Sequence, residues 1–460
     1  MRRNLIMGIA SVLVGCTPGK PIDQTWAQDS GAVGAAEAPW PSWVLEPWVW
    51  EDESTQESAL ALVDGYIEHD IPVSAIIIDS PWATGYSTYE WDPALFPDPQ
   101  AMIDELHAKG VRVFVWTVPG INVDETELYA YAAERGYFMT GGPDETEPEV
   151  VEWWKGDGSL IDYFNPEAVD WWHSLIDQTL AFGIDGWKLD GLDFSALLAR
   201  HSPYLGRNVD RLEYSHAYYR DFHEYTRQQL GDDRVNTVRP VDNYGADVGG
   251  ELVQFAPKDI TWAGWVGDQD PDFSGLQAAL LNMWWSDHDG YTVFGSDIGG
   301  YREDGSALGR EKLPFIRWAQ LGALSAVMEN GGAGEHRPWM FDDETTTIYR
   351  RFAKLHSDLV PYLMEEGGLA FSEENGLMDF TDKDTFSYRL GRDLFVVPVL
   401  DETSMVQATF PEGRWIYAFD PTQVFEGGTV TTFTVALEEY PLFFREGASV
   451  GDTVLARLAD

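Results

Sequence analysis

The stretch VSAIIID at residues 73–79 is an uninterrupted apolar run that ends in a carboxylate. A helix predicted over residues 99–109 follows it, and then a second apolar run, VRVFVWTV, at residues 111–118. Strands that are apolar throughout indicate a parallel sheet buried on both faces, and parallel neighbours need a crossover helix between them. This unit therefore predicts an α/β fold.

The same alternation continues along the chain. Further strands are predicted at residues 186–190, 234–239 and 291–297, and a last helix over residues 311–329. Regular βα alternation predicts a (β/α)8 TIM barrel over residues 41–365. The alternative is a doubly wound open sheet, which is disfavoured because no glycine-rich phosphate turn follows the first strand.

The pattern changes after the predicted barrel. Residues 366–460 read as short alternating strands separated by turn signals, which predicts a small C-terminal antiparallel β-sandwich. A chain of 460 residues fits one large domain followed by a smaller one.

Charge narrows the classes of partner. The chain has 77 Asp and Glu against 30 Lys and Arg, a formal net charge of −47. Such a surface repels phosphate backbones, which excludes nucleic acid as an expected partner. A dense anionic surface is relieved by salt, so either a saline habitat or an ordinary acidic secreted protein accounts for it.

The N-terminal residues resemble a processing signal. A short positive start and the apolar run 5–14, which is too short for a membrane span, lead to the single cysteine, Cys16. The sequence LVGC resembles a bacterial lipoprotein processing box, so we expect a signal over residues 1–16, lipidation of Cys16 and a flexible tether over residues 17–40. This predicts a lipid-anchored protein of the bacterial cell envelope, periplasmic or at the outer membrane, with the anchor as its one membrane contact. A plain secretory signal with an incidental cysteine is the alternative.

Charged residues close several of the predicted strands. They are Asp79, Asp190, Arg239 and Asp297. In a TIM barrel the active site lies at the C-terminal ends of the strands. One carboxylate at a strand end is readily a helix cap, but four charged residues together favour a polar ring at one mouth of the barrel.

Two carboxylates stand out among the candidates. Asp190 ends the strand GWKLD, and Asp268 follows a glycine in the tryptophan-bearing segment 265–270. Glycoside cleavage needs one carboxylate at the anomeric carbon and another that carries a proton, with pKa values held apart. Calcium or magnesium binding is the competing role, but it would need further clustered oxygens. We therefore predict no metal and no cofactor.

Several short motifs occur in a characteristic order. They are WDP at 91–93, FPDP at 96–99, LHAKG at 106–110, VPGI at 118–121, FGSDIGGY at 294–301, RWAQLG at 317–322, HRPW at 336–339, VVPV at 396–399 and REGA at 445–448. With the two carboxylate segments, they resemble the retaining α-glycosidases of glycoside hydrolase family 31, of the α-glucosidase and α-xylosidase type. The family usually carries a large β-sandwich before its barrel, and we expect this chain to lack it.

The resemblance implies roles for individual residues. Asp190 would be the catalytic nucleophile and Asp268 the general acid/base. Asp79, Arg239 and His336 would hold sugar hydroxyls. The ordinary alternatives are a cap for Asp79, an ion-paired scaffold role for Arg239 and a satisfied loop position for His336.

The remaining candidates could line the cleft. Asp297 would either contact substrate or only order its turn. Trp116, Trp187 and Trp265 would be aromatic walls or core packing.

Together these features predict a retaining, exo-acting α-glycosidase whose partner is an oligosaccharide or another α-glycoside. One alternative is an α-transglycosylase that uses the same carboxylate pair. Another is a catalytically inactive sugar-binding surface lipoprotein, which the presence of both Asp190 and Asp268 disfavours.

Overall fold

The computed structural model describes residues 37–192, 200–246 and 252–459. The predicted lipidation site Cys16, the predicted signal and most of the predicted tether lie outside the described residues. In the described part, no helix combines the length and the apolar character that a membrane crossing requires.

Parallel strands form a closed ring. In ring order they are Trp48–Glu51, Ala75–Ile78, Arg112–Thr117, Gly186–Leu189, the paired residues 237–238, Gly264–Val266, Phe294–Ser296 and Glu329–Asn330. Each pairs in parallel with the next, and Glu329–Asn330 pairs with Trp48–Glu51 to close the ring. The predicted (β/α)8 barrel is confirmed.

Two barrel positions differ from the prediction. The expected strand 234–239 is reduced to single bridges at Thr237 and Val238, and Pro240, which has no N–H, follows shortly after. The expected helix 311–329 ends at Gly322, and the chain turns into the last strand at Glu329. A continuous apolar run does not distinguish a buried helix from a buried strand, which explains the error.

The helices of the described residues are Gln56–Glu68, Pro99–Ala108, Thr126–Glu134, Pro166–Leu180, Arg211–Leu230, Phe273–His288, Lys312–Gly322, Asp343–Ser372 and Val450–Ala459. Most of them begin at a residue whose side chain accepts a backbone N–H of the first turn. Asp98, for example, accepts the backbone N–H of Ala101 at 3.1 Å, and Pro99 occupies the first helical position. Short antiparallel strands lie in the loops between these elements. They are Gly120–Asn122, Val151–Trp153, Gly156–Leu160, Arg200–Ser202, Arg207–Val209, Val241–Asp242 and Val253–Gln254.

The C-terminal region is an antiparallel β domain, as predicted. One sheet has the order Met378–Phe380, Tyr388–Leu390, Leu394–Val396, Leu442–Arg445, Arg414–Tyr417 and Val424–Glu426, and a second pairs Met405–Thr409 with Val430–Thr434. Phe410, Phe433 and Phe443 pack between the strands. The helix Asp343–Ser372 runs across the predicted domain boundary, and the chain ends in a helix that the sequence analysis did not anticipate.

Arg317 joins this domain to the barrel. Its side chain is buried on the barrel helix Lys312–Gly322, and its guanidinium donates to the backbone carbonyls of Val435, Ala436 and Glu439. The RWAQLG motif therefore has a structural role at the domain junction.

Candidate active site

A cavity opens at the C-terminal ends of the barrel strands. Its lining consists of Trp50, Asp52, Asp79, Trp116, Trp154, Lys188, Asp190, Arg239, Tyr244, Trp265, Asp268, Asp297 and Tyr301. All four strand-end residues singled out from the sequence are among them, together with Asp268, Trp116 and Trp265. Aromatic walls around convergent charged groups are typical of a small-molecule site.

Arg239 brings the two predicted catalytic carboxylates together. Its Nε donates to Asp190 Oδ1 at 3.0 Å, and one terminal nitrogen donates to Asp268 Oδ2 at 2.5 Å. The other terminal nitrogen pairs with the buried Asp242. The guanidinium also lies 3.6 Å from the ring centre of Tyr244, so its position is fixed on several sides.

Asp190 is held in its ionised form. Trp116 Nε1 donates to Asp190 Oδ2 at 3.2 Å. Burial alone would raise the pKa of this carboxyl, but the charges of Arg239 and Lys188 outweigh burial and lower it. An ionised carboxylate at the cavity wall is what a nucleophile requires.

Asp268 has the opposite tendency. Burial, reinforced by the charge of Asp190, raises the pKa of Asp268 despite the neighbouring Arg239. Its backbone has φ 71°, and its N–H donates to Asp297 Oδ2 at 3.1 Å. The two carboxyls that share one guanidinium thus have pKa values displaced in opposite directions, as an acid and a nucleophile need.

Gly267 allows this tight turn before Asp268. A Cβ at residue 267 would lie 2.5 Å from Trp265 Nε1 and 2.7 Å from Asp297 Oδ2. The residue's N–H donates to Asp242 Oδ2 at 3.2 Å. Only glycine fits here without displacing groups of the site.

Asp79 forms a second charged centre with Lys188. The Lys188 ammonium lies 2.8 Å from Asp79 Oδ2 and 3.5 Å from the ring centre of Trp50. Burial would lower the pKa of Lys188, but Asp79, Asp297 and Glu329 raise it, so the residue stays charged. A lysine within a buried strand was a signal for this role that the sequence analysis did not use.

Two more buried carboxyls belong to this region: Asp297, which lines the cavity, and Glu329, which does not. Asp297 accepts the N–H of Asp268, and burial holds its pKa well above the usual range. This contact orders the turn, one of the two roles expected for Asp297. Glu329 is fully buried, and burial raises its pKa to about 7. The sequence analysis missed Glu329 because it placed that residue at the end of a helix.

Trp187 corrects the list of expected cavity walls. Its indole is fully buried and packs edge-on against Tyr89 and Phe222, outside the cavity lining. Side chains alternate along a strand, so when Lys188 faces the barrel interior its neighbour Trp187 faces the helices.

His336 lies in a groove next to the cavity and is absent from the cavity lining itself. Its Nδ1 is 3.1 Å from the carbonyl of Gly334. Burial and Arg310 lower its pKa to about 4, so the imidazole is neutral at neutral pH. Asp52 lines both the groove and the cavity, which makes the two spaces adjacent.

Several lining residues were missed from the sequence. Trp50 lies in the unrecognised first strand, Asp52 directly follows that strand, and Tyr301 ends the quoted motif FGSDIGGY. Among the described residues, no group of three or more His, Cys, Asp or Glu side chains has the arrangement of a metal site.

Two models of one known family match this chain. The model for the TIM-barrel domain of glycosyl hydrolases family 31 matches residues 38–366, and the model for the C-terminal domain of the same family matches residues 371–450.

Individual proteins with similar sequences or structures carry glycosidase or related names. The chain is 28% identical to alpha-xylosidase XylQ of Lactiplantibacillus pentosus, over 89% of this chain and 53% of that protein. It is 26% identical to a 1,3-alpha-isomaltosidase of Kribbella flavida, over 90% of this chain and 61% of that protein. The chain thus spans little more than half the length of these relatives. The cycloalternan-forming enzyme of Listeria monocytogenes, solved with a pentasaccharide, has the same fold, with a TM-score of 0.77 at 19% identity over 90% of this chain and 42% of that one.

Proposed function

Because the chain belongs to glycosyl hydrolases family 31, we propose that it is a retaining, exo-acting α-glycosidase that releases terminal α-linked sugars. The alpha-xylosidase and isomaltosidase relatives support a neutral α-glycoside of the glucose or xylose type as substrate. The proposal rests on one observation. Asp190 and Asp268 accept hydrogen bonds from the same guanidinium, yet the pKa of Asp190 is lowered and the pKa of Asp268 is raised.

In the proposed first step, the Asp190 carboxylate attacks the anomeric carbon while Asp268 gives its proton to the departing oxygen. The product is a β-linked glycosyl-enzyme. Asp268 then takes a proton from water, which attacks the same carbon and releases the sugar with its α configuration.

Other residues that line the cavity have supporting roles in this scheme. Arg239 keeps both carboxyls in place, and its charge favours ionised Asp190 before attack. Asp79, beside Lys188, supplies carboxylate oxygens that would accept hydroxyl protons of the bound sugar. Trp116 and Trp265 offer apolar surfaces for the sugar ring.

Azide rescue tests the two roles separately. In Asp190→Ala, azide takes the nucleophile's place and should yield the β-glycosyl azide from an activated aryl α-glycoside. In Asp268→Ala, azide should attack the glycosyl-enzyme and yield the α-glycosyl azide. Asp104→Asn, an exposed carboxyl on the helix Pro99–Ala108, is the matched control and should leave turnover unchanged.

Near-wild-type turnover in Asp190→Ala would refute the assignment. Release of aryl alcohol with transfer of the sugar to an added sugar, in preference to water, would favour the transglycosylase alternative. Binding of α-glycosides without any release would favour the inactive sugar-binding protein.

For location, we propose that Cys16 carries a lipid anchor, because a short apolar run leads directly to LVGC. Labelled fatty acid should enter the wild-type protein in a bacterial host and should be absent from Cys16→Ser. Equal labelling of both proteins would refute the anchor.

A further inference from the structure

The charge balance of the cavity depends on a residue outside the proposed catalytic pair. Among the described residues lining the cavity, the cationic side chains are Lys188 and Arg239, and the acidic ones are Asp52, Asp79, Asp190, Asp268 and Asp297. Asp268 and Asp297 both have raised pKa values. Because burial disfavours the ionised forms of those two, Asp52, Asp79 and Asp190 are the main carboxylates opposite the two cations, and the charge of Asp52 shifts the lining towards negative.

The two cations are already committed to carboxylates. Arg239 donates to Asp190, Asp242 and Asp268. Lys188 donates to Asp79 and lies against the face of Trp50. An anionic substituent on a bound sugar would therefore have to compete with a carboxylate of the protein for either cation.

Asp52 lies at the end of the cavity that holds Asp79 and Lys188. It directly follows the strand Trp48–Glu51, and the hydroxyl of Tyr301 donates to its Oδ2 at 3.4 Å. Burial and the charge of Asp79 raise the pKa of Asp52 to about 6 despite Lys188, so the carboxyl is ionised at neutral pH. The side chain is partly exposed and lines both the cavity and the groove of His336, so a ligand can reach it.

We propose that Asp52 is a specificity-determining residue that excludes sugars with an anionic substituent remote from the cleaved bond. The substrate class is then an uncharged or amine-bearing α-glycoside. This inference rests on the proposed glycosidase function and deepens it.

The physical reason is the hydrogen-bonding capacity of a carboxylate. Ionised Asp52 only accepts hydrogen bonds, so a sugar hydroxyl or ammonium can donate to it, whereas a uronate or sulfonate oxygen cannot. An anion at this position would also meet like charge from Asp79 in a partly desolvated space, where repulsion is stronger than in water.

The test compares aryl α-glycosides that differ only at the remote end of the sugar. The probes are the 4-nitrophenyl α-glycosides of glucose, glucuronic acid and 6-amino-6-deoxyglucose. We expect wild-type kcat/KM for the glucuronide to be about 100-fold or more below that for the glucoside. In Asp52→Asn this ratio should narrow about tenfold, and the preference for the amino sugar should fall.

Glu53 provides the matched control. It is the next residue and carries the same charge. Its side chain is exposed and lines the groove of His336 but not the cavity. Glu53→Gln changes the net charge equally and should leave both substrate ratios within twofold of wild type. Asp52→Ser is a second variant in case Asp52→Asn folds poorly, and circular dichroism of each variant checks its fold.

Calorimetric titration with glucose and with glucuronate separates this inference from the proposed function. If the wild type binds glucuronate more weakly than glucose, and Asp52→Asn reduces that difference, the inference is supported. This holds even if the wild type hydrolyses nothing, in which case the glycosidase proposal alone would fail. Equal binding of both sugars by the wild type, or the same ratios in Asp52→Asn, would overturn the role of Asp52.

Discussion

The ammonium nitrogen of Lys188 lies 2.8 Å from a carboxylate oxygen of Asp79, and both side chains are buried at the centre of the barrel mouth. The strands that carry them are separated in the ring by Arg112–Thr117. Removal of one partner from such a pair leaves the other as an uncompensated buried charge.

We therefore expect Lys188→Met to lower the free energy of unfolding by about 3–5 kcal/mol, measured by denaturant titration. The double variant Lys188→Met/Asp79→Asn removes both charges and should recover much of that loss while remaining inactive. If the double variant were no more stable than the single one, the pair would not be the source of the effect.

The pH profile of activity should report the pKa values of the two proposed catalytic carboxyls, Asp190 and Asp268. Asp190 must be ionised and its pKa is lowered, so activity falls on the acid side as pH drops through that pKa. Asp268 must be protonated and its pKa is raised by burial, so activity falls on the alkaline side as pH rises through that pKa.

Asp268→Asn should remove the alkaline limb of the kcat/KM profile. It should lower kcat/KM for alkyl glycosides by about 10²–10⁴, and for dinitrophenyl glycosides much less, because kcat/KM reports the first step and a good leaving group needs no proton there. An alkaline limb that survives in this variant would assign the proton transfer to another group.

Gly267 should be intolerant of a side chain. Gly267→Ala would place a Cβ against Trp265 and Asp297, so we expect a lower melting temperature and a lower kcat. Gly142→Ala is the control, because its Cβ would have as its nearest neighbour a Glu145 oxygen at 3.7 Å. Equal effects of the two substitutions on kcat would contradict a special role for the turn before Asp268.

Glu329 should make stability depend on pH. Burial raises its folded pKa from 4.5 to about 7, so the folded state favours the protonated form. Its contribution to stability is fully present below pH 4.5 and is lost as pH rises through about 7.

In Glu329→Gln this dependence is absent. The difference in melting temperature, variant minus wild type, should therefore increase between pH 5 and pH 8. The exposed Glu402→Gln should show a constant difference across the same range. A constant difference for Glu329→Gln as well would show that the carboxyl titrates normally.

The sequence was sufficient to predict the barrel because its longer strands, such as Arg112–Thr117, are apolar throughout. Other barrel strands, among them Trp48–Glu51 and Glu329–Asn330, were missed or misread. Closure of the ring, a long-range constraint, defines these two as strands. Local periodicity contains no such information.

The candidate site was predictable where a charge ends a strand, as at Asp79 and Asp190. It was not predictable where a residue's role depends on which face of the strand it occupies. Trp187 and Lys188 are adjacent, and only the barrel geometry shows that the lysine, and not the tryptophan, lines the cavity.

Arg317 has a consequence for dissecting the molecule. Its buried guanidinium donates mainly to backbone carbonyls of the C-terminal domain, and the helix Asp343–Ser372 spans the junction. A fragment cut after the barrel would keep this cation without its acceptors and would expose apolar surface of the long helix. The barrel is therefore not an independent unit, and a shortened protein engineered from this chain has to keep both domains.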